Sequence, residues 1–83
     1  MRKTLVGLYV PAVQEHFDLL VPPDLEIEAL TRLFMDGVAE LCPGHFTPTE
    51  NGMLTLREPD MLLHPERTLA SYGIEDGAQL VLF

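Results

Sequence analysis

The spacing of apolar and polar residues changes character along the chain, and each change predicts an element. Residues 3–10 are rich in Val, Leu and Tyr and read as a strand. Both alternating sets of that strand are apolar; Val6, Leu8 and Val10 are the preferred buried set because Gly7 weakens the other. Residues 16–21 alternate more cleanly, with Phe17, Leu19 and Val21 on one face and His16 and Asp18 on the other. The short link from Pro11 to Glu15 predicts an antiparallel hairpin. After Pro22-Pro23 the period becomes helical: Ile27, Leu30, Leu33, Phe34, Val38 and Leu41 form an apolar stripe. Glu28, Arg32, Asp36 and Glu40 mark the opposite side. Asp24, Glu26 and Glu28 suit the positive end of a helix dipole, and Pro43-Gly44 ends the segment. Gly37 costs about 1 kcal/mol against Ala, but the stripe continues through it, so a helix of roughly 15 residues is expected.

The second half is built of shorter pieces. Residues 44–52 read as a loop, closed by Asn51-Gly52. Met53 to Arg57 alternates, placing Leu54 and Leu56 on one face and Thr55 on the other. A turn at Glu58-Pro59-Asp60 precedes the short apolar piece Met61-Leu62-Leu63. Thr68 to Ile74 predicts a tight helical turn, and Asp76-Gly77 a chain reversal. The last strand is expected over Gln79 to Phe83, with Leu80 and Leu82 inward and Val81 and Phe83 outward. One amphipathic helix covers one face of a sheet of four or five strands. The expectation is an α+β roll of ββαββ type with mixed pairing.

At 83 residues the chain is one domain, residues 1–83, with one modest core. Its 47% hydrophobic content argues against disorder. Thirteen acidic against five basic residues leave a net charge of −8, which disfavours nucleic acid and anionic bilayers and leaves room for a basic protein partner. Cys42 is alone, so no internal disulfide forms. No apolar run reaches the ~18–20 residues of a membrane helix. Arg2, Lys3 and the run Leu5 to Val10 resemble the start of a signal peptide, but Pro11 ends the run and Gln14-Glu15-His16 offer no small-residue cleavage site. A cytoplasmic protein is expected.

Candidate chemistry is sparse. A zinc site needs three or four ligands with close pairs, and the nearest approach is Cys42 with His45, across Pro43-Gly44. The simplest reading is a half-buried Cys and a loop His, and a Cys-His nucleophile pair has no orienting group. The pairs Glu26/Glu28, Glu58/Asp60 and Glu75/Asp76 read as solvated faces and turns. Gly73 to Gly77 lacks the Lys-Ser/Thr of a phosphate loop. Neither metal nor cofactor is expected, and no enzymatic activity.

The order of elements resembles the β-grasp, or ubiquitin-like, fold. Arg67-Thr68-Leu69-Ala70-Ser71-Tyr72-Gly73-Ile74 followed by Leu80-Val81-Leu82 is similar to the segment leading into ubiquitin's last strand. The resemblance implies that Leu69 and Ile74 plug the core and that the Tyr72 hydroxyl bonds back to a nearby loop. A closer resemblance is to the YukD/EsaB family of small bacterial ubiquitin-like proteins. Phe17 to Pro22 with Leu25 and Ile27, the helix from Leu30 and Leu33 to Leu41, and Tyr72 to Gly77 with Leu80 carry it. The sequence stops at Phe83 with no Gly-Gly tail, and Lys3 is the sole lysine, so conjugation to other proteins is not expected.

This resemblance implies a non-catalytic accessory role in a type VII (WXG-protein) secretion system. The partner would be a protein, such as the secretion ATPase or a membrane component. The alternative is a small β-grasp accessory subunit of an unrelated enzyme complex. In ubiquitin-like folds the outer sheet face is the usual docking surface, which makes Thr55, Val81 and Phe83 the candidate protein-binding residues. Phe83 folded over the sheet edge to close the core is the competing placement. Met53 or Met61 would extend the docking patch, although gap-filling is the simpler role for both. Nothing in the pattern requires a homodimer, though sheet edges could support one.

Overall fold

The computed structural model describes residues 3–50, 52–57 and 60–83. The expected turn at Glu58-Pro59-Asp60, the Asn51-Gly52 pair and the N-terminal Arg2 fall wholly or partly outside them. Strands β1 (Thr4–Val10) and β2 (Glu15–Val21) form the antiparallel hairpin predicted, with Val10 opposite Glu15 and Thr4 opposite Val21. Helix α1 (Ile27–Leu41) follows, then β3 (Leu54–Leu56), β4 (Met61–Leu62), a 3₁₀ turn (Ala70–Tyr72) and β5 (Ala78–Leu82). The strand order is β2-β1-β5-β3-β4. β1 and β5 are parallel and every other neighbouring pair is antiparallel. Parallel strands need a long crossover, and α1 lies within that connection.

The core forms where the inner sheet face meets α1. Val6, Leu8 and Val10 are buried as the Gly7 argument expects, together with Val21, Leu54, Leu80 and Leu82. From the helix come Ile27, Leu30, Phe34 and Val38. Each fully buried Leu or Val contributes about 1.5–3 kcal/mol relative to exposure. The predicted helical stripe needs a correction at one flank. Leu33 is 55% and Leu41 64% exposed, whereas Thr31 and Met35 are buried. On the Thr31 side the loop at Gly52 lies against Thr31 and Met35, whereas Leu33 and Leu41 border a groove beside β2. Buried Thr31 meets its polar requirement by donating its hydroxyl to the Ile27 carbonyl at 2.7 Å.

The start of α1 is satisfied by backbone, not by the acidic side chains around it. Glu26 occupies the cap position without a side-chain cap bond. The Ile27 and Glu28 amides donate instead to the carbonyls of Arg67 and Pro65, at 2.7 and 2.9 Å. A loop more than thirty residues away in sequence therefore supplies the acceptors that free helix amides require.

That loop is held from the other side by the 3₁₀ turn. Leu69 is fully buried and Ile74 packs half-buried against the core, as the resemblance implies. Gly73 closes the turn at φ +70°, a conformation that favours glycine. At the Asp76-Gly77 reversal, the Asp76 carboxylate accepts the Leu5 amide at 2.9 Å and Gly77 donates to the Leu5 carbonyl at 2.8 Å. Those two bonds tie the start of β5 to β1 and fix their parallel register. Among the described residues, no helix is long and apolar enough to cross a membrane.

Candidate protein-docking face

Strand alternation sends Tyr9, His16, Thr55 and Val81 to the sheet face away from α1. The register lines them up in one row across the sheet. His16 is opposite Tyr9, Tyr9 opposite Val81, Val81 opposite Thr55, and Thr55 opposite Leu62. The Tyr9 and His16 rings lie 4.5 Å apart, tilted by 32°.

The three residues expected to form the docking patch have different surroundings. Val81 points outward by register but is only 6% exposed. Tyr9 and Thr55 flank it in the register, so the area that Val81 itself offers is small. Thr55 is half-buried. Phe83 is 62% exposed and lies just past β5, so it does not close the core. Its backbone is nonetheless fixed by two bonds with Met53: the Met53 amide donates to the Phe83 carbonyl at 3.0 Å and the Phe83 amide to the Met53 carbonyl at 2.8 Å.

Around Phe83 the apolar surface is broader than the sequence suggested. Tyr9, Thr55, Met61, Leu62, Val81 and Phe83 line a shallow depression of about 480 Å³. Arg57 and Asp60 also border it, so the patch carries charge of both signs. Leu62 and Met53 are exposed. Leu62 was missed because β4 is two residues long, too short for alternation to reveal its outward face. Toward the other end of the sheet, Gly7 lets the Gln79 side chain lie across β1: a Cβ at Gly7 would meet the Gln79 amide oxygen at 2.5 Å.

The other candidate residues have structural surroundings. Cys42 is a free, half-buried thiol, and the His45 amide donates to its carbonyl at 3.0 Å in the turn that follows α1. Among the described residues, no group of three His, Cys, Asp or Glu is placed to hold a metal. His64 uses its ring Nδ1 to accept the Glu66 amide at 3.2 Å within the loop.

A single helix packed across a mixed five-stranded sheet in this order defines a ubiquitin-like β-grasp protein. Solved structures agree over essentially the whole chain. The ubiquitin-like domain of the Mycobacterium tuberculosis type VII secretion protein ECCD1 superposes with a TM-score of 0.68 at 21% identity, covering 99% of this chain and 98% of that one. Caldiarchaeum subterraneum ubiquitin gives 0.70 at 21% identity, covering 98% and 91%. The ubiquitin-like domain of Arabidopsis thaliana protein At2g32350 gives 0.67 at 22% identity, covering 100% and 78%. No family model and no curated protein matches the sequence.

Proposed function

We propose that this chain is a non-catalytic, cytoplasmic ubiquitin-like adaptor of the YukD/EsaB type, serving a type VII (WXG-protein) secretion system. It acts by holding a protein partner, such as the secretion ATPase or a membrane component. What supports the secretion reading is its likeness, almost end to end, to the ECCD1 ubiquitin-like domain, alongside the family resemblance of its strand-to-helix segment and closing turn. What supports a binding role is the apolar surface around Phe83, with Thr55 at its base and Leu62 and Met53 beside it. Apolar burial there would supply affinity, and the net charge of −8 would steer a basic partner toward the molecule.

A pull-down from the native cytoplasm with tagged wild type and Phe83→Asp tests this. Recovery of a secretion ATPase or membrane component by wild type alone is the expected result. Recovery of an unrelated enzyme subunit, equally by both proteins, would favour the accessory-subunit reading and discard this face.

A further inference from the structure

A second surface lies between α1 and the β3–β4 pair. It is an open cleft of about 950 Å³. Buried Thr31 and Met35 from α1, Leu54 from β3 and Leu63 form its floor. Met53 and Leu62 stand exposed at its wall. Leu62 also borders the depression around Phe83, so the two surfaces meet at that residue.

Backbone contacts place acidic side chains at both ends of the cleft. At one end the Glu28 amide donates to the Pro65 carbonyl at 2.9 Å, which brings Glu66 to the start of α1. At the other end Gly52 packs against α1: a Cβ there would meet the Met35 sulfur at 2.9 Å. That contact sets the preceding loop residue Glu50 near Met35 and Asp36. Glu28, Asp36, Glu50 and Glu66 are all exposed, and all four line the cleft. Glu28 and Asp36 stand about 12 Å apart along the helix axis.

Charge and spacing decide the occupant. Arg32 is the only Lys or Arg among the described lining residues, and it pairs with Glu28 at 3.6 Å. Asp36, Glu50 and Glu66 have no ion pair among the described residues. Carboxylates at both ends of an apolar floor complement two cations with an apolar group between them. In an extended segment, residues i and i+4 lie about 13 Å apart and share a face with i+2. A second copy of this chain does not supply that pattern. Its basic residues are Arg2, Lys3, Arg32, Arg57 and Arg67, no two of which are four apart, and two chains of charge −8 repel.

We infer that the cleft between α1 and the β3–β4 pair holds an extended basic segment of a partner protein, with Lys or Arg at positions i and i+4 and a large apolar side chain at i+2. The cations meet the Glu28–Glu66 and Asp36–Glu50 ends, and the apolar group rests on Met35, Met53 and Leu62. The flexible thioethers of Met35 and Met53 suit an aromatic ring there. This contact does not depend on Phe83.

The test titrates the full chain with the end-capped peptide Gly-Arg-Ser-Phe-Ser-Arg-Gly and follows amide NMR shifts. Saturable shifts are expected over Thr31–Asp36, Gly52–Leu54 and His64–Glu66, and added salt should lower the affinity. The isomer Gly-Arg-Arg-Ser-Phe-Ser-Gly has the same charge and should bind about fivefold more weakly. Asp36→Asn combined with Glu50→Gln should weaken binding by about tenfold with unchanged far-UV circular dichroism. Arg32→Gln removes the competing cation and should tighten binding by about threefold, a gain that misfolding does not produce. Phe83→Asp should leave the affinity within about twofold, which separates failure of this inference from failure of the outer-face reading. Four results would overturn it: no saturable shifts, equal affinity for the isomer, weaker binding by Arg32→Gln, or shifts centred on Tyr9, Val81 and Phe83.

Discussion

The phenolic oxygen of Tyr72 accepts the backbone N–H of His64 at 2.8 Å. This bond ties the 3₁₀ turn to the loop whose Pro65 and Arg67 carbonyls receive the first amides of α1. The Arg67 guanidinium lies 4.8 Å from the centre of the same ring. One side chain thus connects the closing turn, the loop and the helix start. Tyr72→Phe retains the ring and removes the acceptor. It should lower unfolding free energy by about 1 kcal/mol. Urea denaturation measures the loss, and faster exchange of the His64 amide would localise it.

Phe83 and Leu80 are three residues apart and should respond in opposite ways. Leu80 is fully buried, and Leu80→Ala should destabilise by about 2–5 kcal/mol through lost transfer energy and the cavity left behind. Phe83→Asp alters an exposed side chain while leaving the backbone bonds to Met53 available. Its effect on stability should stay within about 0.5 kcal/mol. Thermal melts of the two variants give the comparison, and a large loss for Phe83→Asp would mean that its ring packs more tightly than its exposure indicates.

Gly37 and Gly77 differ in what a methyl group would meet. Gly37 is helical with open space at the Cβ position, so Gly37→Ala should stabilise by about 0.5–1 kcal/mol. Gly77 has φ +92°, so Gly77→Ala should destabilise by about 1 kcal/mol or more although no atom obstructs the methyl. Chemical denaturation of both variants decides whether backbone conformation or space controls these sites.

Asp76 accepts the Leu5 amide at 2.9 Å, where β5 begins beside β1. Asp76→Ala should cost about 1.5–3 kcal/mol, as a bond to a charged acceptor is lost. Asp76→Asn, which keeps a carbonyl acceptor, should recover part of it. Equal losses from both would show that the carboxylate charge, and not the bond itself, matters at this turn.

Several features were legible in the spacing of residues. The hairpin followed from alternation on either side of the Pro11–Glu15 link, and the helix from a stripe that Gly37 did not interrupt. Gly7 identified the buried set of β1 because the alternative set lacked a side chain at its centre. Leu33 shows where this reasoning stops. A helical stripe tells which side of a helix is apolar, but not how far a neighbouring sheet extends beneath it. Val81 shows the same from the sheet: alternation gives its direction, while its exposure depends on Tyr9 and Thr55 in strands remote in sequence.

The sequence by itself determined the order of elements, the buried faces of the longer strands and the turns at Pro11–Glu15 and Asp76-Gly77. These depend on periodicity and on residues with restricted or permissive backbones, all of which act locally. Only the tertiary structure decided that Phe83 stands clear of the core, that Leu62 joins the row of Thr55 and Val81, and that Leu33 and Leu41 open a groove beside β2. Such outcomes depend on strand order and on which neighbour covers each side chain. Packing sets those relationships between residues far apart in the chain, so no local pattern contains them.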